Sequence, residues 1–151
     1  MILKSASAHA IRAMLYLALQ PEGKLCKAQE IAAKEQIPSP FLGKILQQLR
    51  QHHLLESVRG SKGGYRLEMP PEKIRMIEII RAVDSDVDSD RCLLRQGRCS
   101  TDEPCSLHLR LQPVRERFFD VMDNTTLAEI AGGNVRNDVS VRTHPEVGGQ
   151  S

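Results

Sequence analysis

Apolar residues near the start of the chain recur with helical spacing. Ile11, Leu15, Ala18 and Leu19 fall on one stripe, and Ala10, Ala13, Met14 and Leu17 widen it. The pattern predicts a helix over 8–20, capped by Ser7 and stopped by Pro21 and Gly23. So apolar a helix has to be covered on more than one side. A short helix is predicted over 27–35 with Ala28, Ile31 and Ala32 inward, then a tight turn at Gln36-Ile37-Pro38. Ser39 is the expected cap of a third helix running to His52, with Pro40 in its first turn, where a missing N–H costs nothing. Phe41, Leu42, Ile45, Leu46 and Leu49 are expected to face inward, leaving Gly43, Lys44, Gln47, Gln48 and Gln51 outside.

The pattern then shortens. Residues 54–58 and 64–68 read as two strands, joined by Arg59-Gly60-Ser61-Lys62-Gly63, a glycine-rich turn with two cations. A basic hairpin after two helices joined by a short turn describes a winged helix-turn-helix. Such a third helix can enter a major groove, where Lys44, Gln47 or Gln48 meet base edges, while N–H groups near Ser39, Pro40 and Phe41 hold a phosphate. Arg59, Ser61 and Lys62 would follow the backbone or reach the adjacent minor groove. The glycine-rich turn is neither a Walker motif nor a dinucleotide fingerprint, and it joins strands rather than feeding a helix, so a nucleotide site is not expected.

Pro70 and Pro71 close this unit, and Ile74, Ile77, Ile79, Ile80 and Val83 mark a turn and short helix. Asp84, Asp86, Asp88 and Asp90 alternate like half a calcium loop, but Ser89 and Arg95 occupy the positions that need Gly and Glu, so an acidic linker is expected. Leu107, Leu111, Val114, Phe118 and Val121 recur at four, three, four and three residues, a seam suited to a second subunit. Pro113 is expected to divide that stretch, leaving 105–112 as a separate turn. Thr126-x-x-Glu129 reads as a capping box opening a last short turn.

The expected architecture is therefore mainly α. A winged domain spans 1–71, a short helix and linker 72–91, a cysteine-rich loop 92–108, a dimerisation helix and closing turn 109–131, and a disordered tail 132–151.

Charge sharpens the picture. The net +2 hides 10 Lys/Arg against 5 Asp/Glu in residues 1–70, while 71–106 carries 6 against 8. A polyanion would dock on the first half. With no Trp and 3% aromatic residues, a base-stacking platform is not expected. No run reaches the length of a membrane helix and the start lacks an export pattern, so a soluble, cytoplasmic protein is expected, without membrane partners. No small-molecule substrate is expected either, because His9, His52 and His53 have no nucleophile–acid arrangement around them.

Cys92, Cys99 and Cys105 fall within 14 residues, with His108 three after the last. No close Cys pair of the zinc-knuckle kind is present. The wide spacing suits a loop wrapped around a larger object such as an iron–sulfur cluster, with His108 as fourth ligand. A redox-switched disulfide and a zinc site remain open alternatives, as does a winged protein-interaction module that binds no DNA. Cys26 stands apart and is expected to pack against the first helix.

Together these segments resemble the Rrf2 family of bacterial transcription regulators, in particular its iron–sulfur branch. The resemblance covers about residues 1–131. It is carried by His9-Ala10-Ile11-Arg12-Ala13-Met14-Leu15-Tyr16-Leu17-Ala18, by Glu30-Ile31-Ala32, by Phe41-Leu42-x-Lys44-Ile45-Leu46-x-x-Leu49 and above all by Ser57-Val58-Arg59-Gly60-Ser61-Lys62-Gly63-Gly64-Tyr65-Arg66-Leu67. Ala82-Val83-Asp84, the three cysteines and Thr126-Leu127-Ala128-Glu129-Ile130 continue it. It implies a homodimeric repressor on a palindromic operator, with a 2Fe-2S cluster favoured over 4Fe-4S on Cys92, Cys99, Cys105 and His108. The aspartate that one branch member uses as a ligand has no counterpart at Ser7-Ala8, and six residues separate the first two cysteines where five is usual.

Overall fold

The structure is a computed structural model, and it describes residues 3–87 and 103–133. The candidate ligands Cys92 and Cys99, the end of the expected acidic linker and the expected tail from 134 lie outside the described residues. Helix α1 spans Ser5–Ala18, α2 Ala28–Glu35 and α3 Ser39–Gln51. Strands β1 (Leu55–Val58) and β2 (Gly64–Leu67) follow, then a 3-10 turn at Pro71–Lys73, α4 (Met76–Val83), α5 (Ser106–Asn124) and α6 (Leu127–Gly132).

The core gathers on α1. Ala10, Ala13 and Met14 are fully buried there, against Leu42, Leu46 and Leu49 of α3, Ile79 of α4 and Leu127 of α6. Alanine at two of these positions lets neighbouring helices approach closely, as dense interiors require. Ser7 does not cap α1. The helix starts a turn earlier behind Lys4, and the Ser7 hydroxyl is buried without a described hydrogen-bond partner. Lys4 instead holds Asp84 at the end of α4, Nζ to Oδ1 2.6 Å, tying the first helix to the fourth.

Tyr16 joins α1 to α2. Its buried hydroxyl donates to Glu30 Oε1 at 2.6 Å, which pushes the phenol up to about 12 and, with help from Lys24, holds the carboxyl below its usual range. Tyr16→Phe should cost about 1 kcal/mol at neutral pH. Because the folded carboxyl is depressed, this contribution is present above the unfolded value near 4.5 and fades as pH falls through the folded one. Denaturant melts of both proteins at pH 7 and pH 3 check this: the gap between them should narrow in acid.

Two more helices differ from expectation. The cap residue of α3 is Pro38, so Ser39 is its first helical residue and makes no capping bond. Pro113 does not divide α5, which runs unbroken for 19 residues. Proline removes the N–H that would reach the Leu109 carbonyl, but Leu109 is 57% exposed and that carbonyl lies on the wet side of the helix. The capping box of α6 is present: Thr126 Oγ1 accepts from the Glu129 N–H, and Glu129 accepts from the Thr126 N–H.

Candidate nucleic-acid interface and cysteine segment

Helix α3 sorts its residues by face. Leu42, Ile45, Leu46 and Leu49 are buried, while Pro40, Gly43, Lys44, Gln47 and Gln51 are exposed and Gln48 is half-buried. Phe41 does not point inward. It is 63% exposed, on a flank of the first turn of α3 that no described residue covers. An exposed aromatic beside Ser39 and Pro40 joins the face expected to meet DNA.

The wing is an antiparallel pair with Leu55 opposite Leu67, Glu56 opposite Arg66, Ser57 opposite Tyr65 and Val58 opposite Gly64. Its acids have partners on the hairpin side. Arg66 pairs with Glu56 across the strands, and His53 Nδ1 lies 3.4 Å from Glu68. Arg59, Ser61 and Lys62 at the tip are exposed, and neither cation, nor Lys44 on α3, pairs with a described carboxylate. The surface offered by α3 and the wing thus carries uncompensated positive charge, the electrostatic condition for binding a polyanion.

Glycines set the wing's shape. Gly60 has φ +108°, and a Cβ on buried Gly63 would lie 2.0 Å from the Val58 carbonyl oxygen. Cys26 pairs with Tyr65 through two backbone bonds, 2.9 Å and 2.8 Å, so a residue just ahead of the α2 cap forms a third, one-residue strand. Burial pushes the Cys26 thiol up, which keeps it protonated and inert.

Cys105 is exposed and caps α5, its Sγ accepting from the His108 N–H at 3.4 Å. His108 is half-buried one turn on. Thiolate and imidazole donors so close in sequence suit a soft metal or an iron–sulfur cluster. Among the described residues no three metal-ligating side chains converge; Cys92 and Cys99 are not among them. Further along α5, Leu111, Val114 and Val121 are exposed, while Leu107 and Phe118 are half-buried, Phe118 edge-on to Phe119 at 5.6 Å. Arg115 lies over Phe119 and donates to the Val87 carbonyl at 3.1 Å.

Residues 3–133 match the family model of Rrf2, whose description reads "Iron-dependent Transcriptional regulator". The chain belongs to the Rrf2 family. It is a DNA-binding transcriptional regulator built on a winged helix-turn-helix, as the wing sequence implied, and not an enzyme. Among its Rrf2 relatives, the HTH-type transcriptional regulator IscR of Cronobacter sakazakii is 34% identical over 146 residues, 97% of this chain and 90% of its own. IscR of Klebsiella pneumoniae is 34% identical over 144 residues, 95% and 88% of the two chains. The oxidized form of CymR from Staphylococcus aureus superposes with a TM-score of 0.70 at 27% identity, covering 87% of this chain and 96% of that one. CymR of B. subtilis, a global cysteine regulator, reaches 0.72 at 23% identity over 86% and 95%, and shares the fold. No helix among the described residues is long and apolar enough to cross a membrane.

The sequence reading missed four positions. Arg50 reaches Ser57 of the wing, Cys26 extends the wing, Arg115 grips Val87 and Leu109 is the most exposed apolar residue of α5. The odd–even alternation of β1 places Ser57 opposite in sense to Glu56 and could have found the first of these. Nothing local announced the others.

Proposed function

We propose that this Rrf2 regulator works in the cytoplasm as a homodimer, setting two α3 helices and two wings on a palindromic operator as a repressor, and that the chemical state of its cysteine segment sets its grip. The observation that carries DNA contact is the uncompensated charge of Lys44, Arg59 and Lys62 on one surface with Phe41, Gln47 and Gln48. Pairing through α5 would bring the two readers into register with half-sites about one helical turn apart.

Two chemistries are supported for the input. What the described residues offer is an accessible thiol, Cys105, held at the first turn of α5, which supports a clusterless regulator switched by cysteine oxidation or by zinc. The likeness to a CymR solved in an oxidized form favours the same reading. The iron–sulfur reading rests on the donor set Cys92, Cys99, Cys105 and His108 and on the family's iron-dependent description. A cluster there, 2Fe-2S before 4Fe-4S, would supply a one-electron redox response.

Anaerobic purification with a visible spectrum and iron, zinc and acid-labile sulfide analysis separates the two. Operator affinity is then measured for reduced, oxidised, metal-loaded and stripped protein at one salt concentration. A coupling of about 1–3 kcal/mol should appear as a 5- to 150-fold difference between states. Equal affinities for all four remove the cysteine segment from the mechanism.

A further inference from the structure

Between α3 and the wing lies an open groove of about 370 Å³. Gly43, Gln47 and Arg50 form its α3 wall, four and three residues apart and so on one stripe. Ser57 and Tyr65, opposite each other in the β ladder, line the other wall together with Val58, Gly64 and the cation Arg59. The Glu56–Arg66 pair does not line the groove. No carboxylate lines the groove.

Arg50 Nη1 donates to Ser57 Oγ at 3.3 Å. That bond uses one of five guanidinium N–H groups on a neutral acceptor and leaves the charge without a described anion. The Ser57 hydroxyl, accepting from Arg50, keeps its own proton to donate. Gly43 adds bare backbone: a Cβ there would meet nothing within 4 Å, so packing does not explain a helix-weakening residue at this position.

We infer that Arg50 and Ser57 form a seat for one phosphate of the DNA backbone, an assignment that rests on the operator-binding reading above. A helix in the major groove and a wing in the adjacent minor groove straddle one sugar–phosphate strand. The groove between them therefore faces that strand, and its donors meet phosphate oxygens rather than base edges. An arginine fork held by a hydroxyl suits that geometry. Gly43 leaves the strand room to approach.

The experiment measures affinity against salt concentration for the full chain on an operator duplex and on a random duplex. Arg50→Ala should weaken both by a similar factor, about tenfold at 0.1 M salt, and lower the slope of log affinity against log salt by about one. Arg50→Lys should keep the slope with weaker binding, and Ser57→Ala should lose affinity severalfold at unchanged slope. A brace that only steadies the wing would lower the melting temperature of Arg50→Ala and leave the slope alone, which overturns the assignment. Loss confined to the operator duplex overturns it too, since that marks base reading. If Arg50→Ala does not fold, wild-type affinity in both Arg50→Lys and Ser57→Ala overturns it. A wild-type chain that holds neither duplex overturns the underlying reading as well.

Discussion

Val114→Glu is expected to give a folded monomer that has lost most of its grip on the operator. No α5 side chain is buried among the described residues, although α5 presents Leu111, Val114 and Val121 at 38%, 54% and 42% exposure. An apolar seam of that length needs a cover, and the heptad-like spacing suits a copy of itself. In a two-fold seam the substitution buries two carboxylates near the axis, unpaired, each at a cost of several kcal/mol. The winged core should survive, because α1, α3 and α4 do not draw on Val114. Dimeric operator recognition then collapses to single half-site contact, a loss on the order of 10³-fold. Sedimentation, thermal melting and gel shifts together decide the matter. A dimer with unchanged operator affinity shows that α5 is not the pairing surface.

Gly64→Val is the second large effect. Gly64 has φ +154°, and an added Cβ would lie 2.6 Å from the Cys26 carbonyl oxygen and 2.8 Å from its carbon. Both are backbone atoms and cannot swing aside. The strand must part from Cys26, losing two hydrogen bonds worth about 1 kcal/mol each, with strain added. We expect a destabilisation of about 2–4 kcal/mol and, because the wing is displaced, operator affinity lowered more than tenfold. Gly43→Ala is the control for stability. There the Cβ meets open space, and the helix should gain about 0.5–1 kcal/mol. Denaturant melts of the two variants should move in opposite directions; a Gly64→Val protein as stable as wild type would mean the Cys26 contact is dispensable.

The wing was legible because its chemistry is dense: two strands, a turn of glycines and two cations in a dozen residues leave few other folds. The inward stripe of α3 was legible for the same reason, except at Phe41. Periodicity assigns Phe41 to the stripe of Ile45 and Leu49, but whether a stripe is covered at its end depends on what packs over that end, a tertiary fact. Pro113 shows the same limit from the other side. A helix tolerates an interior proline more readily where the freed carbonyl can reach water, and the exposure of Leu109 was not written locally. The α1 start failed through competition, since Ser7 can cap a helix or be buried in one, and Lys4 with its distant partner Asp84 decided between them. At the head of α5 the spacing of Cys105 and His108 announced a donor set, while the cap bond from the His108 backbone N–H to Cys105 Sγ needed the helix to exist first.

The Cys26–Tyr65 ladder bears on how the operator is read. A free hairpin would have to give up its conformational freedom at each encounter with DNA, and that loss would be charged against affinity. Here the residue ahead of α2 is stitched into the wing's edge, so the hairpin is already quiet before any duplex arrives. Recognition by this domain is then closer to the fit of a stamp than to the closing of a hand.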